Sequence, residues 1–93
     1  MKKVFNTDIN ENNINEVVEL TGWVSRVRNL GGLIFIDLRD RTGIIQLVVN
    51  PESTYYDIAQ NLKTEFVITV TGKVVEAYYG YPGVKGTKSY MLL

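Results

Sequence analysis

The 93-residue sequence contains no cysteine and no histidine. Without cysteine it can form no disulfide, no thiolate zinc site and no cysteine nucleophile. Without histidine it lacks the commonest general base and metal ligand, which excludes Ser-His-Asp and Cys-His catalytic triads. No apolar run approaches the ~20 residues of a membrane span, and polar residues follow the first five directly, so we expect neither a membrane segment nor a signal peptide. A cytoplasmic location fits these absences.

The sequence also carries no net charge, because 10 Lys+Arg balance 10 Asp+Glu. This excludes a strongly basic nucleic-acid-binding protein on average charge, but it leaves room for a local basic patch. A hydrophobic fraction of 45% and an aromatic fraction of 11% are typical of a folded domain. The length suits one small domain. We place that domain at residues 17–93, after a polar, asparagine-rich lead-in over residues 1–16.

Apolar residues alternate with a period of two over most of the chain from Val17 onward, which predicts strands separated by Gly- and Asp-containing turns. Between the third and fourth strands the spacing changes to that of a helix. The predicted strands begin at Val17, Leu33, Ile44, Phe66 and Thr87, and the predicted helix covers Tyr55 to Leu62.

This order predicts an all-β fold, a small five-stranded Greek-key barrel of the OB-fold type with one helix between strands 3 and 4. Gly22 and Gly72 fall in mid-strand, where a small barrel needs sharp bends or bulges. An SH3-like barrel would lack the helix, and a ferredoxin-like fold would need a helix after the first strand.

The arginines are concentrated in one part of the chain. They are Arg26, Arg28, Arg39 and Arg41. Arg can fork onto phosphate and stack on bases, and strands 2 and 3 are the usual nucleic-acid surface of an OB-fold. For the later two arginines we favour ion pairs with Asp37 and Asp40 around the hairpin. For the first two, which have no acidic residue close by in sequence, we favour a binding role.

Phe35 and Gln46 form a second candidate feature. Phe35 shares a strand face with Asp37, whose charge favours solvent, so we expect an exposed ring. An exposed ring beside an exposed amide suits single-stranded nucleic acid, because the ring stacks on a base and the amide hydrogen-bonds to a base edge. The alternative interpretation is that Phe35 is a core residue and that Gln46 only faces water. The pattern alone leaves both interpretations open.

A long motif favours the nucleic-acid-binding interpretation. The run from Gly22 to Gln46, GWVSRVRNLGGLIFIDLRDRTGIIQ, closely resembles the N-terminal anticodon-binding domain of bacterial-type aspartyl-tRNA synthetases. The resemblance continues through Asn50-Pro51-Glu52 and the stretches 62–68 and 70–74, and covers roughly residues 17–76.

The resemblance implies an OB-fold that binds the anticodon stem-loop of tRNA(Asp). It implies that Phe35 stacks on an anticodon base, that Gln46 contacts the central uridine, and that Arg28 with Arg26 reaches bases or phosphates. Val48 stands where many family members carry an aromatic residue, and residues 86–90 lack the glutamate that helps to read the third base. ATP and Mg²⁺ belong to the family's catalytic domain, which is absent here, so we expect no cofactor and no catalysis by this chain. We also expect a monomer.

The Tyr/Gly-rich tract AYYGYPGVKG, residues 77–86, is unlike the family. Tyr and Gly are common in adaptable protein-binding loops. The alternative hypothesis is therefore an OB-fold interaction scaffold, natural or engineered, that binds a protein partner through residues 78–90. A solvated loop and a surface that stacks on RNA are the other interpretations of this tract.

Overall fold

The computed structural model of the chain describes residues 2–9, 11–76 and 89–93. These residues form six strands, one α-helix and two short 3₁₀ turns. The strands are β1 (Lys2–Lys3), β2 (Val17–Leu30), β3 (Leu33–Asp40), β4 (Gly43–Val49), β5 (Val67–Glu76) and β6 (Ser89–Leu92). The helix is α1 (Tyr56–Gln60), and the 3₁₀ turns span Asn6–Asp8 and Glu11–Asn13.

Five of the strands close into a barrel. β2, β3 and β4 are neighbours in an antiparallel meander, β6 joins β4 in parallel, and β5 lies antiparallel between β6 and β2. Strand β2 can close the ring because it is long. Its residues up to Trp23 pair with β5, and its residues from Trp23 onward pair with β3. This closure, with α1 between β4 and β5, confirms the predicted OB-fold.

The barrel interior is filled by the apolar residues that alternate along the strands. Because side chains point to opposite faces with a period of two, each strand contributes every second residue. The fully buried members are Val18, Leu20, Val24, Ile34, Ile36, Leu38, Ile45, Leu47, Val49 and Val74, joined by Ala59 from α1. The predicted strands therefore point their apolar faces inward as the alternation indicates.

Helix α1 is short and packs onto the barrel core through buried Ala59 and partly buried Tyr56. Ser53 does not cap it. The Ser53 hydroxyl instead accepts a hydrogen bond from the Tyr55 backbone N–H at 3.1 Å. The Tyr56 hydroxyl donates to the Gly32 carbonyl at 2.7 Å and so ties the helix to the β2–β3 turn. None of the helices in the described ranges is long and apolar enough to cross a membrane.

The lead-in before β2 is also tied to the barrel, which the sequence did not predict. β1 runs parallel to the start of β2, with Lys2 opposite Val18. Asn6 is buried, and its side-chain amide donates to the carbonyls of Leu38 and Gly43 at 2.9 and 3.1 Å. Buried polar groups are stable when they are paired in this way. The N-terminal segment is thus held against the β3–β4 hairpin.

Candidate nucleic-acid interface

The five residues predicted from the sequence lie together on one face of the barrel. Two neighbouring cross-strand rows carry them. One row aligns Arg28, Phe35 and Val48, and the next aligns Arg26, Asp37 and Gln46. Residues directly opposite on neighbouring strands are ~5 Å apart, and residues two apart along a strand are ~7 Å apart, so the two rows make a continuous patch. We call it the β2–β4 outer face.

A β-bulge in β2 brings the two arginines to this face. Val24 pairs with Leu38, but Arg26 already pairs with Asp37, so Ser25 is an extra residue on the β2 side. Before the bulge the even-numbered residues of β2 point into the core, as buried Val24 does. An extra residue reverses that alternation. Without the bulge, Arg26 and Arg28 would point into the barrel.

Arg28 lies over the Phe35 ring and next to an acidic residue. Its guanidinium carbon is 5.7 Å from the ring centroid, within cation–π range. Its Nη2 is 3.8 Å from Oδ1 of Asp37. Asp37 is nine residues away along the chain, but the β2–β3 register makes it a diagonal neighbour. The sequence placed Asp37 on this face through its spacing of two from Phe35, but it did not predict that Asp37 pairs with Arg28.

The structure corrects the expected exposure of Phe35 and Gln46. Phe35 is only 1% exposed, and Gln46 and Val48 are fully buried. Phe35 and Val48 form a second small apolar cluster, against which Leu33 and Val75 pack. The assignment of Phe35 to the same face as Asp37 was right, because Phe35, Asp37 and Gln46 do share the outer face. The inference that the face is open to solvent was wrong, because Asp37 itself is 8% exposed and paired with Arg28.

Several polar atoms of this face are buried without a hydrogen bond. Among the described residues, no hydrogen-bond partner exists for Arg28 Nε, Asp37 Oδ1 or either amide atom of Gln46. A buried unpaired polar group costs about 1–3 kcal/mol. Such an arrangement is expected where the polar groups are kept for a ligand rather than for the fold.

The predicted hairpin ion pairs are also corrected. Asp37 pairs with Arg28 rather than with Arg39, because the pairing follows the cross-strand register and not the distance along the sequence. Arg41 lies over the Phe5 ring, with its guanidinium carbon 4.4 Å from the centroid.

Asp40 instead accepts hydrogen bonds that join the hairpin to the N-terminal segment. Its carboxylate receives the backbone N–H groups of Asn6 and Thr42, both at 2.8 Å, the Thr42 hydroxyl, and the Gly43 N–H at 3.2 Å. Burial raises the pKa of Asp40, but the hydrogen bonds from Thr42, Asn6 and Gly43 outweigh it and hold the pKa below its ordinary value.

Among the described residues no group of three or more acidic side chains is arranged to hold a metal ion. The whole Tyr/Gly-rich tract, residues 77–86, lies outside the described residues, and with it most of the proposed partner-binding segment 78–90.

Comparison with known proteins agrees with this geometry. Residues 18–88 match the tRNA anticodon family, described as an OB-fold nucleic acid binding domain. Over 72 residues the chain is 57% identical to aspartate–tRNA ligase of Lactococcus lactis subsp. lactis (strain IL1403), a match that covers 74% of this chain and 12% of that protein.

Solved structures share the fold. Asparaginyl-tRNA synthetase from Pyrococcus horikoshii superposes with a TM-score of 0.82 at 27% identity, over 97% of this chain and 21% of that one. OBody AM3L09, solved bound to hen egg-white lysozyme, superposes with a TM-score of 0.82 at 18% identity, over 99% of this chain and 89% of that one. At that identity the OBody likeness concerns the fold alone.

The chain is therefore a tRNA anticodon-type OB-fold nucleic acid binding domain. Within that class it belongs with the anticodon-binding domain of the aspartyl- and asparaginyl-tRNA synthetases. The matched region is the non-catalytic part of those enzymes, and the chain spans about one-eighth of the curated relative.

Proposed function

We propose that the β2–β4 outer face binds the anticodon loop of tRNA(Asp), as the recognition module of an aspartyl-tRNA synthetase. The observation that carries this proposal is the placement of Arg26, Arg28, Phe35, Gln46 and Val48 in two adjacent rows of one sheet face. Among the strands of a small barrel, this is the face that OB-fold proteins use for nucleic acid.

Each residue type supplies a different part of RNA recognition. Arg26 is exposed, so its guanidinium is suited to bind phosphate oxygens. Such contacts position the RNA without reading its sequence. The Phe35 ring stacks on a base once the face opens. The Gln46 amide has a donor and an acceptor, both unpaired among the described residues, and reads the Watson–Crick edge of the central uridine. Val48 beside Phe35 adds an apolar surface. We propose that binding needs no cofactor and that the domain acts as a monomer.

The first prediction concerns Phe35. Phe35→Ala should weaken binding to a tRNA(Asp) anticodon stem-loop by about 1–3 kcal/mol, because base stacking is lost. Phe35→Leu should weaken binding as well, since it keeps apolar bulk in the buried cluster but has no aromatic face. Phe66→Ala is the matched control, because Phe66 is exposed and lies outside the β2–β4 outer face. Affinity is measured by fluorescence anisotropy at one fixed salt concentration. Wild-type affinity in a folded Phe35→Leu variant would refute the stacking role.

A second comparison tests which RNA is bound. We expect the stem-loop of tRNA(Asp) to bind more tightly than a scrambled loop, with an affinity that falls as salt rises. The stem-loop of tRNA(Asn) measures discrimination at the third anticodon base. Equal binding of the cognate and scrambled loops would point to a general single-strand binder. No RNA binding, together with a protein partner held through residues 78–90, would support the interaction scaffold instead.

A further inference from the structure

We propose that Asp37 is a positioning residue that holds Arg28 across the Phe35 ring and keeps the β2–β4 outer face closed until RNA displaces the guanidinium. The proposal rests on the proposed function of that face and adds how access to it is controlled.

Arg28 occupies a place that a base needs. Its guanidinium carbon lies 5.7 Å from the Phe35 centroid, and the two residues are direct cross-strand partners. Phe35 is 1% exposed and Gln46 is fully buried. A base can neither stack on this ring nor reach this amide in the arrangement observed. RNA recognition therefore requires the side chains over the two residues to move.

Asp37 is placed to hold Arg28 over the ring. Its Oδ1 is 3.8 Å from Arg28 Nη2, and it lies on the same face, next to Phe35 on one side and opposite Gln46 on the other. Both partners are largely shielded from solvent, with side-chain exposures of 24% and 12%. Charge pairs in such places are screened less than fully exposed ones.

The closed arrangement leaves several polar atoms without good partners. The separation of 3.8 Å is an ion pair but too long for a hydrogen bond. Arg28 Nε, Asp37 Oδ1 and the Gln46 amide are buried with no hydrogen-bond partner among the described residues. Phosphate oxygens and a base edge offer better partners for the arginine and the glutamine. When RNA reaches the face, the weak Arg28–Asp37 contact is therefore replaced by stronger contacts with the RNA.

The first experiment reads the closed state without RNA. Hydrogen exchange of the Gln46 side-chain amide is followed by NMR in the wild type and in Asp37→Asn, which has almost the same shape but no charge. We expect exchange in Asp37→Asn to be about fivefold faster, the effect of losing a modest ion pair. Asp37→Glu keeps the charge, so its Gln46 side-chain amide should exchange about as slowly as that of the wild type. The control Asp57→Asn removes an exposed carboxylate on α1 and should leave exchange unchanged.

Arg28→Lys tests the same contact by changing the arginine, and it replaces Asp37→Asn in the experiment if that variant does not fold. Lysine keeps the charge but lacks the planar group that lies over the ring, so the Gln46 amide should again exchange faster.

The second experiment measures the association rate of the tRNA(Asp) anticodon stem-loop by stopped flow. Asp37→Asn should associate about fivefold faster than the wild type. Asp57→Asn controls for the general effect of removing a negative charge on attraction to RNA.

The outcomes separate the two proposals. Equal exchange and equal association in the wild type and Asp37→Asn would overturn the positioning role. An Asp57→Asn variant that matched Asp37→Asn in the association experiment would overturn the assignment of the faster association to opening. If exchange is faster in Asp37→Asn but no variant binds the stem-loop, the proposed RNA function is refuted. The closed state of the face is still supported in that case.

Discussion

At the scale of single residues, Gly22 lies where the barrel wall leaves no room for a side chain. It lies in the middle of β2 with its Cα facing the core side. A Cβ built on it would lie 2.4 Å from the Arg39 carbonyl oxygen and 3.2 Å from Leu38 Cγ. The sequence predicted a bend or bulge at this glycine. The bulge lies three residues later, at Ser25, and Gly22 is needed because the backbone of β3 approaches it closely.

Gly22→Ala should therefore destabilise the fold by about 3 kcal/mol, since a backbone atom and not a flexible side chain must move. Gly32→Ala is the comparison. Gly32 has φ near +90°, but a Cβ there would make only an ordinary contact with Pro51 Cγ at 3.8 Å, so alanine meets strain without a clash, at about 1 kcal/mol. Urea denaturation of both variants checks the ranking. A Gly22→Ala loss no larger than that of Gly32→Ala would contradict the close-contact explanation.

At the scale of elements, α1 acts through its tie to the β2–β3 turn. The turn residues Gly31 and Gly32 both have positive φ, so the turn depends on glycine. The Tyr56 hydroxyl bonds the Gly32 carbonyl, and the β2 residues just before the turn lead back to Arg28. A helix of one turn thus steadies the end of the candidate interface.

Tyr56→Phe should cost about 0.5–1.5 kcal/mol of stability, the usual net value of one hydrogen bond. It should also speed backbone amide exchange in the turn at residues 31–33 more than elsewhere. Tyr55→Phe is the matched control, because Tyr55 is the exposed neighbour on the same segment. NMR hydrogen exchange with thermal unfolding measures both effects. Uniform exchange changes across the barrel would argue against a local tie.

At the scale of the whole molecule, Asp40 joins the N-terminal segment to the far hairpin. Asn6 and Asp40 are both buried and are linked by a 2.8 Å hydrogen bond between parts of the chain that are far apart in sequence. Because the native pKa of Asp40 is lowered while the unfolded value is ordinary, the ionised carboxylate stabilises the fold. That stabilisation is present above the unfolded pKa of ~3.9 and is lost as pH falls through the lower, native pKa.

Asp40→Asn should lower the free energy of unfolding at pH 7 by about 1–3 kcal/mol, since an amide nitrogen cannot accept the bonds that one carboxylate oxygen receives. The difference from the wild type should shrink as the pH falls below about 4, where the wild-type carboxyl is also losing its charge. Urea denaturation from pH 7 to pH 2 tests this, with exposed Asp57→Asn as the control. A difference that does not change with pH would show that shape, not charge, explains the loss.

Much of the architecture was predictable because it depends on local signals. The alternation of apolar residues fixes which faces of the strands are buried, and the change to helical spacing after Pro51 locates α1. The alternation also placed Phe35 and Asp37 on one face of β3, whereas Arg28 reaches that face only through the bulge at Ser25.

The burial and pairing of those residues depend on distant parts of the chain, so local reasoning did not reach them. The exposure of Phe35 is set by what packs over the sheet and not by its own strand. The Arg28–Asp37 pair and the 3.8 Å distance arise from register and from the bulge at Ser25, which no turn residue marks. The anchoring of Asn6 likewise needs the hairpin at Asp40 in place.

The parallel pairing of β4 with β6 has a consequence for how the protein is made. Gln46 pairs with Tyr90, and about half of the chain lies between them. The meander β2–β3–β4 can form as soon as it leaves the ribosome, because its contacts are local. The ring stays open until residues 89–92 arrive, and loop closure over such a separation is slow. During synthesis, therefore, the strands that carry the candidate interface exist for a time as an open sheet with two free edges.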